Sequence, residues 1–291
     1  MTHLFFLTRP WFWLPAIGSA LSGFLYDGSY VVSLGNLLPL LITIGPGLAA
    51  FAEVFNDICD VSRDKISTQH RILGISLAGG SGILTGGRIS LRKAKSICAL
   101  SAAIAFFVSL TLGRVVTLFT VFGLFSAFLY SIPQFRGKDK PFVGQLLLGL
   151  GYGPISFHIG FFSSGANCIH LSGIIAGLLI GLWVVVIGIT ADVLDIDDSL
   201  RLGQHNLAVI LGKNFALLAS AIGGFALLFS ATLLFILSNI SIRYFLFLPV
   251  LIFSVWRGVA LLRNPDIVQL RRLHFIAICL ETAFPLSLKA S

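Results

Sequence analysis

Apolar runs of about membrane-spanning length recur along the whole chain, and they fix its class before any motif is considered. Nine candidate spans fall near residues 11–28, 34–57, 93–112, 115–132, 142–163, 171–195, 214–238, 242–262 and 269–287. Each is close to the roughly 20 residues that cross a bilayer core as an α-helix. None alternates with period two, so the spans are helices and not the strands of a barrel. Only 11% of residues are charged and 56% are hydrophobic, which excludes a soluble globule. The first run lacks a preceding basic segment and a clear small-residue cleavage site, so it reads as a span and not as a signal peptide. The expectation is an all-α polytopic membrane protein with nine transmembrane helices in one bundle, residues 1–291 forming a single domain.

A net charge of +8 is not a nucleic-acid signature here, because of where the charge sits. With nine spans, 17 of the 20 Lys and Arg residues fall on one side of the membrane; Arg114, Arg243 and Lys289 fall on the other. The positive-inside rule makes the rich side cytoplasmic. The N-terminus is then cytoplasmic and the C-terminus is not. The four cysteines have no pairing or metal-ligand spacing, and packing is their plain reading. The segment 58–92 is the one long loop, polar at its start and rich in glycine, and long loops in compact domains are often functional.

Seven of the twelve acidic residues fall in two clusters, at Asp57, Asp60 and Asp64 and at Asp192, Asp195, Asp197 and Asp198. Both lie at the cytoplasmic end of an apolar run. Asp57, Asp60 and Asp64 stand at i, i+3 and i+7, which is one face of a helix. Like charges on one face repel, so something positive belongs among them. Asp192, Asp195 and Ser199 repeat the spacing. Magnesium suits such donors, since it takes hard oxygen ligands, one or two carboxylates at a time, with waters and phosphate oxygens completing its shell. The plain alternative is a pair of solvated helix ends. A cation path would instead put acids mid-span, where only Glu53 and Glu281 come near.

The motif Asn56-Asp57-x-x-Asp60-x-x-x-Asp64 resembles the first aspartate-rich motif of UbiA-type intramembrane prenyltransferases. The resemblance covers nearly the whole chain. It includes Arg9-Pro10, Arg71, Tyr130-Ser131-x-Pro133-x-x-Arg136-x-Lys138, and Gly203-x-x-Asn206-Leu207-Ala208-Val209-x-Leu211-Gly212. Gly79-Gly80-Ser81-Gly82 and Gly144-Gln145-Leu146, followed by Tyr152-Gly153-Pro154, are most similar to the dihydroxynaphthoate branch of the menaquinone pathway. Two positions depart from the pattern. The family's second motif is Asp-x-x-x-Asp, and here it is Asp195-x-x-x-Ser199; Gln145 stands where that branch has an acid.

The resemblance implies transfer of a prenyl group from an allylic prenyl diphosphate to a small aromatic, quinone-precursor-like acceptor, with Mg2+, inside the bilayer and on its cytoplasmic side. Charge builds on the leaving diphosphate, and magnesium with Lys or Arg donors stabilises it. The expected metal ligands are Asp57, Asp60, Asp64, Asp192, Asp195, Asp198 and Ser199. Arg71, Arg136, Lys138 and Tyr130 are the catalytic candidates; Asn56, Arg71, Lys138, Tyr152 and Gln145 are the substrate-binding ones. The expected partners are the prenyl diphosphate, the acceptor and the lipid bilayer, with no nucleic acid. Two rivals follow from Ser199 and Gln145: a terpene cyclase of the same family, which quenches the allylic cation internally, and a degenerate member that only binds.

Overall fold

The computed structural model describes residues 2–26, 34–66, 70–72, 75–78 and 80–237, with isolated positions between 252 and 276. The expected spans at 242–262 and 269–287 lie outside the described residues. The chain opens with α1 (Thr2–Thr8), a 3-10 turn (Pro10–Phe12) and α2 (Trp13–Phe24). One long rod follows, made of α3 (Leu34–Ile42), a π segment (Thr43–Ala49) and α4 (Ala50–Asp60). Next come α5 (Leu91–Leu112), α6 (Arg114–Ser131), a 3-10 turn (Gly137–Asp139) and α7 (Val143–Leu150). A second π segment (Gly151–Ile155) continues α7 into α8 (Ser156–Ser163). Finally α9 (Leu171–Leu194) leads through the short α10 (Ile196–Arg201) and α11 (Leu207–Leu211) to α12 (Lys213–Leu237).

Five helical rods are long and apolar enough to cross a membrane: Gly35–Asp60, Leu91–Leu112, Arg114–Ser131, Val143–Ser163 and Leu171–Leu194. They reproduce the expected spans to within a few residues. α5 begins at Leu91, before the expected 93, because the Ser90 hydroxyl caps it by accepting from Lys93 N at 3.3 Å. α2 is shorter than expected, with 12 residues. The all-α expectation also misses one feature. Two short strands, β1 (His70–Ile72) and β2 (Ile75–Ala78), pair as an antiparallel hairpin inside the long loop after α4. Three or four residues give too little alternation to signal a strand.

Each π segment contains a proline, Pro46 or Pro154. Proline lacks an N–H and its ring meets the carbonyl four residues back, and a widened turn relieves both. The extra residue re-aims the side chains beyond it. Leu48, Ala49, Gly151 and Tyr152, in or beside these two segments, all face the same cavity.

One buried cluster is built on α8 and α9 from Phe157, Phe161, Ile180 and Trp183, with Tyr26 packed edge-on against Phe157 at 5.3 Å. α5 and α6 form the outside, with Leu100, Phe107, Leu118 and Phe125 exposed. In water that apolar coat would be a liability; against lipid tails it is the expected surface. The protein is an integral membrane protein.

Candidate active site

α4 and α9 both end at the polar end of one cavity of about 340 Å³. Asn56, Asp60 and Asp64 approach it from the end of α4, and Asp192, Asp195 and Asp198 from the end of α9 and from α10. Lys138 enters from the 3-10 turn after α6. Deeper in the membrane the wall becomes apolar, with Leu48, Ala49, Gly123, Leu148, Val184 and Ile187. Asp60 and Leu48 are twelve residues apart on the rod, so the apolar part reaches about 18 Å below the acids. The cavity therefore has a charged mouth and a greasy shaft.

The positive charge expected among the first acids is present. Asp60, 7% exposed, is met on one oxygen by Arg136 Nη2 at 2.9 Å and on the other by Lys138 Nζ. Lys138 also donates to Asn56 Oδ1 at 2.5 Å, as does Ser131 at 3.1 Å. Both lone pairs of that oxygen are thereby used. Arg136 Nε reaches Asp139 Oδ2 at 2.6 Å, where Arg63 Nη1 also donates, at 2.7 Å. Asp139 and Asp60 together raise the Arg136 pKa above its ordinary value although burial works against it.

Asp57 departs from expectation. It is 2% exposed and is not part of the cavity wall. Its carboxylate is held by the buried Arg9 and by the Ser81 hydroxyl and backbone N–H. Arg9 also pairs with Glu53 at 3.2 Å. Burial opposes the Arg9 charge, yet Asp57, Glu53 and Asp64 outweigh it and raise its pKa. Position i, i+3, i+7 puts three acids on one face, but a helix face is broad, and Asp57 lies on the side turned toward Arg9 and Ser81. Asp64 is on the cavity side. The backbone of Gly80 covers its carboxylate so closely that a Cβ there would collide with it. Burial, then the charges of Asp60 and Asp57, push the Asp64 pKa up to about 7, with Arg9 and Lys138 opposing.

The second motif is also rearranged. Ser199, 2% exposed, is engaged as a bridge: its hydroxyl donates to Gln204 Oε1 at 2.8 Å and accepts from Asn206 Nδ2 at 3.1 Å. It braces the turn after α10 and is also part of the cavity wall. Asp198, 6% exposed, is in the cavity wall beside Asp195, whereas Asp197 points outward. Asp192 takes a 2.6 Å hydrogen bond from Gln145 Nε2. Arg136 is not in the cavity wall and meets Asp60 from behind. Tyr130 and Tyr152 both face the cavity, and Tyr152 Oη donates to the Phe12 carbonyl at 3.4 Å. Arg71 is on β1; its side chain lies outside the described residues. Lys140 sits over the Phe135 ring, 3.8 Å from its centre.

Sequence reasoning did not single out Arg63, Asp139 and Gln204, and it named Glu53 only as a near-mid-span acid. Arg63 and Asp139 were findable, since each stands three residues from a singled-out charge, Asp60 or Arg136, on what becomes a helical turn. Gln204 belongs to a loop with no period.

The sequence model of the UbiA prenyltransferase family matches residues 16–279. The chain belongs to that family. This UbiA member is similar to the bacteriochlorophyll synthase 34 kDa chain of Chloroflexus aurantiacus, with 28% identity over 156 residues, 53% of this chain and 47% of that one. The match thus spans about half the length of that relative. Its fold resembles a UbiA homologue of Archaeoglobus fulgidus solved bound to DMAPP and Mg2+, with a TM-score of 0.75, 18% identity and 98% of each chain covered. A digeranylgeranylglyceryl phosphate synthase matches with a TM-score of 0.69 and 18% identity over 99% of this chain and 96% of the other. At such identities the structural likeness is one of fold.

Proposed function

We propose that this UbiA member transfers a prenyl group from an allylic prenyl diphosphate to a small aromatic acceptor, using magnesium. The observation that carries the reading is the union of two acidic clusters and Lys138 at the mouth of a cavity whose shaft is apolar. The solved relative bound to DMAPP and Mg2+ and the bacteriochlorophyll synthase relative support it.

Among the described residues no three His, Cys, Asp or Glu side chains converge to hold a metal by themselves. Magnesium does not require that, because it binds through one or two carboxylates and fills its shell with water and substrate phosphate oxygens. The donors at the mouth are hard oxygens, so they fit. Asp60 and Asp64 on one side, and Asp195 and Asp198 on the other, are the residues assigned to hold it. Bound there, magnesium supplies positive charge to the diphosphate as its bond to carbon breaks.

The chain's own groups do the rest. Lys138 donates to the diphosphate as charge develops, in a mouth where partial burial strengthens each contact. Asn56, its oxygen already taken, presents its amide N–H to a phosphate oxygen. The apolar shaft holds the prenyl tail and keeps water from the allylic carbon. Tyr130 and Tyr152 offer electron-rich faces to that carbon. Arg136 positions Asp60. Arg71, seven residues after Asp64, is the further candidate for the same diphosphate.

The rest of the proposal is topological: one domain of nine transmembrane helices, the N-terminus and the cavity mouth on the cytoplasmic side, and an acceptor of the quinone-precursor type. The test is product analysis after incubating the purified protein with magnesium, labelled geranyl diphosphate and naphthol acceptors. A prenylated acceptor is expected. A cyclic hydrocarbon formed without acceptor would establish the cyclase instead, and absence of any diphosphate release would leave only the binding role.

A further inference from the structure

Among the described residues four glycines line the cavity: Gly123, Gly144, Gly151 and Gly188. Glycine is disfavoured within a helix, so each needs a reason. Packing supplies it for three. A Cβ at 123 would press on Leu48 at 2.8 Å, at 144 on the Lys138 backbone at 2.9 Å, and at 188 on Leu148 at 2.8 Å. Gly151 has no such neighbour: a Cβ there would meet no described atom within 4 Å. Nor does its backbone ask for glycine, since φ is −63° and ψ is −53°, ordinary right-handed helix. What a side chain at 151 would take up is the space of the shaft itself. The wall is fixed at this point, because Ser156 donates to the Gly151 carbonyl through its N–H and, at 2.7 Å, through its hydroxyl.

Gly151 stands partway down. Gln145, bonded to Asp192, marks the acidic end of the same rod. Six residues of helix separate Gln145 from Gly151, about 9 Å. The apolar part reaches about twice that depth, where Leu48 lines the wall. An isoprene unit adds four chain carbons, about 5 Å when extended at ordinary bond lengths. A five-carbon chain held at the mouth ends above Gly151, a ten-carbon chain reaches it, and a twenty-carbon chain passes it. A short chain leaves the lower shaft empty, and its lining atoms then lack contact partners on one side.

We infer that Gly151 sets the prenyl chain length this protein accepts: it holds the shaft open where the third isoprene unit begins, and the substrate is an allylic diphosphate of three or four units and not the five-carbon one. The inference rests on the prenyl-transfer reading and deepens it, naming the substrate class that the sequence leaves open. The discrimination is steric. Filling the opening takes the long chains' place and leaves the mouth and its acids as they are.

The test uses the full chain in detergent as wild type, Gly151→Ala and Gly151→Leu. Tryptophan quenching with magnesium reads the affinity for dimethylallyl, geranyl and geranylgeranyl diphosphate. The wild type is expected to bind the twenty-carbon diphosphate at least about tenfold more tightly than the five-carbon one. Gly151→Leu lowers that ratio at least about tenfold and Gly151→Ala about threefold, in the order of added bulk. Thermal unfolding checks that both variants fold, and Gly151→Ala, whose one added carbon meets nothing, scores the ratio by itself if Gly151→Leu does not. An unchanged ratio in the folded variants overturns the inference. So does an equal loss for all three lengths, or a wild type that binds the three alike. Geranylgeraniol without magnesium probes the shaft apart from the mouth. Failure of the wild type to bind any diphosphate with magnesium would sink the prenyl-transfer reading, whereas geranylgeraniol binding separately scores Gly151: weakened in the variants it supports the inference, and unchanged it overturns it.

Discussion

Arg136 holds Asp60 at 2.9 Å from a backbone in the left-handed region, with φ of +46°. Arg9, which holds Asp57, has the same φ. A non-glycine residue there costs on the order of 1–3 kcal/mol, and such strain gathers at functional sites. Both arginines cap a 3-10 turn, and both turns aim a guanidinium at the first acidic motif. Arg136→Lys keeps a positive charge but loses the fork that spans Asp60 and Asp139. Turnover is expected to fall about tenfold to a hundredfold, with a smaller change in prenyl diphosphate affinity, as steady-state kinetics would report.

Arg9 is the more structural of the two. Its removal leaves Glu53 and Asp57 buried without their cation, and breaking a buried pair this way costs about 3–5 kcal/mol. Arg9→Leu should therefore unfold at markedly lower temperature, followed by tryptophan fluorescence. Asp57→Asn should also lose stability, yet keep the wild-type magnesium half-saturation within about threefold, because Asp57 is outside the cavity wall. A tenfold rise in that variant would restore Asp57 to the metal set.

Ser199 gives a prediction opposite to the one its motif position invites. If its hydroxyl were a weakened metal ligand, Ser199→Asp would raise the rate. Because it bridges Gln204 and Asn206, the expected result is no gain, and Ser199→Ala should lose about 1–3 kcal/mol of stability. Thermal unfolding and turnover of the two variants separate these outcomes.

Asp64 sets a pH dependence. Its pKa is pushed up to about 7 by burial and by Asp60 and Asp57, so it is protonated in the metal-free protein below that pH. A carboxyl must lose its proton to ligate a cation. Magnesium affinity should therefore be nearly level above pH 8 and fall as pH drops through 7, by up to tenfold per unit. Calorimetry in two buffers of different ionisation enthalpy should detect proton release at pH 6.5. The dependence should vanish in Asp64→Asn.

The fold and the mouth of the cavity were legible in the sequence for different reasons. Long apolar runs are fixed by bilayer thickness, so Leu91–Leu112, Arg114–Ser131 and Leu171–Leu194 came out within a few residues. Asp60, Asp64, Asp195 and Asp198 were singled out because acids at a span's end are rare, and all four reach the cavity. Periodicity names a face but not which edge of it is turned inward. That is why periodicity alone grouped Asp57 with Asp60, three residues on, although it turns to Arg9, 48 residues away. The partners of Ser199 were hidden for a related reason, since Gln204 and Asn206 come from a turn without periodic signal. The Gln145–Asp192 contact joins residues 47 apart, and only the packing of α7 on α9 brings them together.

The central claim is that the two acidic clusters act on one diphosphate. Its most direct measurement is magnesium-dependent release of labelled diphosphate from geranyl diphosphate, with a naphthol acceptor, by wild type, Asp60→Asn and Asp195→Asn. The account predicts release in the wild type and a loss of at least about a hundredfold in each variant, although their clusters lie on different helices. Wild-type release in either variant, or release that does not need magnesium, would contradict it.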